Sequence, residues 1–170
     1  MPSMGQMKQV ADKQAAPLLE KLKSDPKNGL LLSQVGAIYH GDHQFQEAAT
    51  YYQKAVQVDP KNVSTRSKLA TSLYRSGDVD GAITQLNEAL TYDPKDANSL
   101  FNLGMIKLNG KKDGQGALAA WQRLLKSNPQ LSADRKATVQ HLIADVLNTL
   151  GDQAATEGAH RNDGHKPNLN

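Results

Sequence analysis

Hydrophobic positions in the middle of the chain recur at helical spacing, and the pattern itself repeats. Leu32, Val35 and Tyr39 fall at i, i+3 and i+7, and Leu100 and Leu103 open a similar run. A turn signal follows each run: Gly41-Asp42, Ser76-Gly77-Asp78, and Asn109-Gly110 through Gly114. A second helical stripe comes next, with Ala48, Tyr52 and Ala55, then Ala82, Leu86 and Ala89. Each unit closes on proline. Asp25-Pro26-Lys27-Asn28 returns as Asp59-Pro60-Lys61-Asn62 and, more loosely, as Asp93-Pro94-Lys95-Asp96, each copy 34 residues after the last. The residue before proline avoids the α region, so the second helix of each unit ends there. The Asn or Asp that follows suits the N-cap of the next helix.

A period of 34 predicts stacked helical units. Gly36, Ala70 and Gly104 fall in step as small residues that admit a neighbouring helix. Tyr52, Leu86 and Trp121 share a slot on the second helix, which places Trp121 in the core. The third unit departs from the pattern with one extra residue before Ala117 and with Leu124 in place of alanine. The segment 109–116 is expected to be a mobile loop.

These letters resemble the tetratricopeptide repeat family. The resemblance covers 29–130 as three repeats, 29–62, 63–96 and 97–131, each an antiparallel pair of helices, A then B. It implies an all-α, right-handed superhelical solenoid. The flanks are expected to complete it. Residues 6–24 predict a preceding helix with a kink or break at Pro17, whose Leu18, Leu19 and Leu22 cover the first repeat. Residues 131–150 predict a capping helix. Ser132 is its N-cap, and Val139, Leu142, Ile143, Val146, Leu147 and Leu150 form its apolar stripe. Gly151 is expected to end it, and 151–170 to form a disordered polar tail.

Composition narrows the function. Of 170 residues, 38% are hydrophobic and 22% charged, which suits a water-soluble fold. The absence of Cys excludes disulfides, Cys-ligated metal and a thiol nucleophile. The net charge of +3 comes from mixed acids and bases without a basic stripe interleaved with aromatics, so no nucleic-acid partner is expected. No window approaches a membrane span, and MPSMGQMKQ lacks the apolar core of a signal peptide. His40 and His43 flank a glycine turn that breaks metal-ligand geometry, and no nucleophile elbow or P-loop occurs. No catalytic activity, cofactor or metal is expected.

The resemblance also implies where a partner sits. In the family, helix A lines the concave face, and its groove-facing positions correspond here to Leu30, Ser33, Gln34, Ala37, His40 and Gly41. In the second repeat they are Ser64, Ser67, Lys68, Thr71, Tyr74 and Arg75. In the third they are Asn98, Phe101, Asn102, Met105, Leu108 and Asn109. The candidate contacts are Leu30, His40, Lys68, Tyr74, Arg75, Asn98, Phe101, Asn102 and Met105. Phe101, Met105, Leu108 and Tyr74 are expected to form an apolar floor, or else to pack against the last helix. Lys68, Arg75, Asn98 and Asn102 would form polar rungs for a peptide or partner protein. Relatives that bind chaperone C-termini use a set of Lys, Asn and Arg to clamp two carboxylates. The matching positions here are Ser33, Ala37, Lys68, Asn98 and Asn102, so that clamp is absent.

The stretch from Leu100-Phe101-Asn102-Leu103-Gly104 to Ser127-Asn128-Pro129-Gln130 is also similar to bacterial periplasmic members that assist cytochrome c maturation. This resemblance implies a periplasmic location, as the soluble part of an anchored or exported protein, rather than a cytoplasmic one. The alternative is a self-assembling scaffold for a multiprotein complex, in which one copy accepts the end of another.

Overall fold

The computed structural model describes residues 4–162. Eight helices and no strand occur among the described residues: α1 (Met4–Ser24), α2 (Gly29–Gly41), α3 (Phe45–Val58), α4 (Val63–Arg75), α5 (Val79–Tyr92), α6 (Ala97–Lys111), α7 (Gly114–Ser127) and α8 (Ala133–Asn162). Helices α2/α3, α4/α5 and α6/α7 form successive pairs, and each pair packs on the next. The fold is an all-α solenoid of helix pairs.

The hinge residues act as caps. The Asn28 carboxamide oxygen accepts from the Leu31 amide at 3.0 Å, Asn62 from Thr65 at 2.9 Å, and Asp96 from Ser99 at 2.7 Å. Each binds one of the amides that a helix N-terminus leaves unpaired. Asn28 and Asn62 also donate back to Asp25 and Asp59, at 2.9 and 3.4 Å. The B helices end in one register: the amides of Asp59, Asp93 and Asn128 reach the carbonyls of Ala55, Ala89 and Leu124. Asn128, 4% exposed at the end of the third pair, also donates its carboxamide to the Lys95 carbonyl of the third hinge.

The core divides into two clusters. One runs from Ala11 and Ala15 of α1 through Val35, Tyr39, Tyr52 and Val56 to Leu69. The other runs from Ala70 through Leu86, Leu100, Trp121 and Leu124 to Val139 and Val146 of α8. Helix α4 lies between them, with Leu73 packed against both. Its remaining buried positions are largely polar: Thr65, Arg66, Ser67 and Ser72. The Arg66 guanidinium donates to the Pro60 carbonyl at 2.7 Å and to Gln85 at 2.7 Å, and pairs with Glu88.

Four local features differ from the sequence expectation. Helix α1 runs unbroken through Pro17. Ala11, Ala15 and Leu22 are buried against the first repeat, and this packing offsets the lost backbone bond. Segment 109–116 is no long loop. Helix α6 reaches Lys111, and only Lys112 and Asp113 precede α7. The Asp113 amide bonds the Lys107 carbonyl at 2.9 Å, and its carboxylate caps Gly116 at 2.8 Å. Helix α8 passes through Gly151 to Asn162. A glycine inside a helix costs only about 1 kcal/mol, and the good helix formers that follow carry the helix onward. The rest of the expected tail, 163–170, lies outside the described residues. Finally, Leu147 is 51% exposed, so it does not share the buried stripe of Val139 and Val146.

Candidate functional site

Residues from α4 and α6 enclose a shallow groove of about 250 Å³, lined by Ser64, Ser67, Lys68, Thr71, Asp96, Asn98 and Asn102. The repeat geometry produces it: α4 and α6 are equivalent first helices of adjacent pairs and touch directly. Lys68 and Asn98 are exposed. The Asn102 carboxamide donates to Ser67 Oγ at 3.2 Å, which joins the two walls. Asp96 is already engaged as the α6 cap. The groove is therefore mostly hydroxyl and amide, with one free-standing ammonium. Such a surface can bond the peptide groups of an extended chain and attract its acidic side chains.

Phe101 and Met105 do not line this groove. Both are half-buried and pack against the second core cluster, as do Tyr74 and Leu108. The Phe101 carbonyl accepts from the Trp121 indole at 3.2 Å, which fixes α6 against α7. The lining of this groove is thus polar, and Phe101, Met105 and Leu108 follow the other expectation, packing on the core cluster that α8 completes. Leu30 stands in the first turn of α2, 69% exposed and apart from the groove.

His40 and Arg75 meet at the other end of α4, around Phe45. The Arg75 guanidinium lies over the Phe45 ring, 4.9 Å from its centroid. His40 and His43 approach the same ring edge-on, at 5.2 and 5.6 Å. His40 Nδ1 lies 2.9 Å from Ser72 Oγ, whose own hydrogen goes to the Lys68 carbonyl. With the Ser72 hydroxyl donating to that carbonyl, the matching His40 tautomer carries its proton on Nδ1. Burial lowers the His40 pKa below 6.5, and the positive charge of Arg75 and the nearby His43 lower it further.

Two contributors escaped the sequence reading. Phe45, the aromatic platform, follows the α2–α3 turn, and its place as the first residue of the second helix was the available signal. Arg135, in the first turn of the capping helix, donates to Asn98 Oδ1 at 2.8 Å and reaches the groove from α8. Nothing in the period pointed to it, because α8 lies outside the repeats. Among the described residues, no group of three or more His, Asp or Glu is placed to hold a metal ion. Nor is any helix long and apolar enough to cross a membrane.

Sequence models of the tetratricopeptide repeat match residues 39–103 and 98–130. The chain belongs to the tetratricopeptide repeat family. Solved structures with the same fold include the first tetratricopeptide domain of Spaghetti (RPAP3) bound to an HSP90 peptide. It is 19% identical, with TM-score 0.64, over 72% of this chain and 93% of that one. MamA is 16% identical, with TM-score 0.66, over 91% and 99% of the two chains. The Sgt2 tetratricopeptide domain from Aspergillus fumigatus is 18% identical, with TM-score 0.65, over 84% and 86%. At these identities the likeness is one of fold. No curated protein matches the sequence. Within this tetratricopeptide array, Lys68, Asn98 and Asn102 line the α4–α6 groove, His40 and Arg75 meet at Phe45, and the other expected contacts lie elsewhere.

Proposed function

We propose that this tetratricopeptide array is a non-catalytic interaction module that holds a peptide segment of a partner protein against α4 and α6. The observation that carries this reading is the groove lined by Ser64, Ser67, Lys68, Thr71, Asn98 and Asn102. Its exposed groups, Ser64, Lys68 and Asn98, stand on two adjacent helices, which suits main-chain recognition of an extended segment. The neighbour bound to an HSP90 peptide is a precedent for a peptide on this fold. The groove here lacks that family clamp's set of residues, so a different segment is the expected occupant.

Affinity capture from bacterial lysate and periplasmic extract tests the reading, with wild type beside an Asn98→Ala/Asn102→Ala variant. A protein retained only by the wild type supports it. Identical captures overturn it. The narrower role in cytochrome c maturation rests on the lettering of 100–130. Recovery of haem-attachment components from the periplasmic extract is the outcome that supports it.

A further inference from the structure

Resting on that reading, we infer that the segment held along α4 is acidic, with carboxylates three residues apart that engage Lys68 and Arg75. The positions that the family resemblance assigns to the concave face carry Lys68, Arg75 and His40 but no Asp or Glu, although the chain has 17 acidic residues. The one carboxylate at the groove, Asp96, is held by the Ser99 amide. Lys68 and Arg75 are both exposed. Neither pairs with a carboxylate among the described residues, whereas Lys107, Lys111 and Arg66 all do. The inner face of α4 is thus a cationic stripe on a chain of nearly balanced charge.

The stripe is also oriented. Stacking on Phe45 fixes the Arg75 guanidinium at the end of the stripe, and His40 and His43 flank the same ring. An aromatic platform lowers the entropy cost of presenting a guanidinium to a carboxylate. Seven residues of helix place Lys68 and Arg75 about 10 Å apart along the axis. Three residues of polyproline II chain advance about 9 Å and complete one turn, which returns the fourth side chain to the same face. A β-extended segment alternates faces, so acids three apart would point in opposite directions. The geometry therefore favours an acid-x-x-acid spacing in polyproline II form. The Ser64 hydroxyl, the Thr71 oxygen as an acceptor and the second N–H and the oxygen of the Asn102 amide remain for its backbone, since the Thr71 hydrogen and one Asn102 N–H go to Ser67.

The test uses fluorescein-labelled synthetic peptides of Pro, Ser and Gly that carry two Glu three residues apart. Controls carry two Glu two residues apart, or two Gln. Fluorescence anisotropy reads binding to the full chain and to Lys68→Gln, Arg75→Gln and the double variant. Circular dichroism checks that each variant is folded. The expected result is saturable binding of the three-apart peptide that weakens with added NaCl, and by about tenfold in the double variant. Equal binding of the Gln peptide, or no effect of the double variant, overturns the acidic assignment. If the Gln peptide binds and Asn98→Ala/Asn102→Ala abolishes it, the groove reading stands and only the charge assignment fails. Absence of binding by every peptide also overturns the acidic assignment, and partner capture then decides the groove reading separately. Self-association that the double variant abolishes overturns the partner assignment and gives the stripe to a second copy of the chain.

Discussion

Gly104 of α6 lies directly against Trp121 of α7: a Cβ on Gly104 would stand 2.2 Å from the indole nitrogen. The same slots hold Gly36 with Tyr52, where the added carbon would approach the ring to 3.0 Å, and Ala70 with the fully buried Leu86. The size of the second-helix residue thus sets the size allowed on the first. Gly104→Ala is expected to destabilise the protein by about 1–3 kcal/mol through overpacking, despite alanine's better helix propensity. Adding Trp121→Leu recreates the pair found in the second repeat. In a double-mutant cycle read by urea denaturation, the two changes should cost less together than the sum of each alone.

Tyr39 donates its hydroxyl to Asp12 Oδ1 at 2.9 Å and so ties α1 to the first repeat. Burial, the bond to Asp12 and that carboxylate's charge raise the tyrosine pKa to about 12. Tyr39→Phe keeps the ring stacked on Tyr51 and removes only the bond. The expected loss is about 1 kcal/mol, with faster amide exchange concentrated in α1. A uniform change in exchange would contradict this assignment.

His40 makes stability depend on pH. Unfolded, the imidazole titrates near 6.5, and in the folded protein it titrates lower. Between the two values the unfolded chain binds more protons, so stability falls as pH drops below 6.5 and levels off beneath the folded pKa. His40→Gln should flatten that slope. Urea midpoints measured across the range for both proteins give the answer, and parallel slopes would exclude His40 as the cause.

Lys112 closes α6 in the left-handed region, at φ 57°. A side chain there costs about 1 kcal/mol, and glycine is the usual occupant. Lys112→Gly should therefore raise the melting temperature by a few degrees, as measured by calorimetry. A fall would show that the lysine side chain makes a compensating contact.

The helix pairs were legible because proline, capping residues and small/large partners recur at one period. Each of these is a local steric or hydrogen-bonding requirement. What escaped was set by competition between weak local signals and packing. Pro17 and Gly151 both read as helix breakers, yet α1 and α8 run through them because their costs are small beside burial and flanking propensity. The candidate site was only partly readable. Positions on α4 and α6 gave Lys68, Asn98 and Asn102 in one groove. Periodicity alone did not reveal that Phe101 turns to the core, because a groove floor and a core edge carry the same apolar letter. Arg135 came from outside the period altogether.

The polar interior of α4 has a mechanical meaning. Local opening acts where apolar adhesion is least, and on α4 the buried Arg66, Ser67 and Ser72 hold α5, α6 and α2 by polar contacts instead. Hydrogen bonds are short-ranged and break over small displacements, whereas hydrophobic contact resists more gradually. The two core clusters therefore share one helix, joined through Leu69, Ala70 and Leu73 and flanked by polar contacts. Lys68 and Arg75 stand on that same helix, so a ligand spanning both residues would also brace the element that the two core clusters share.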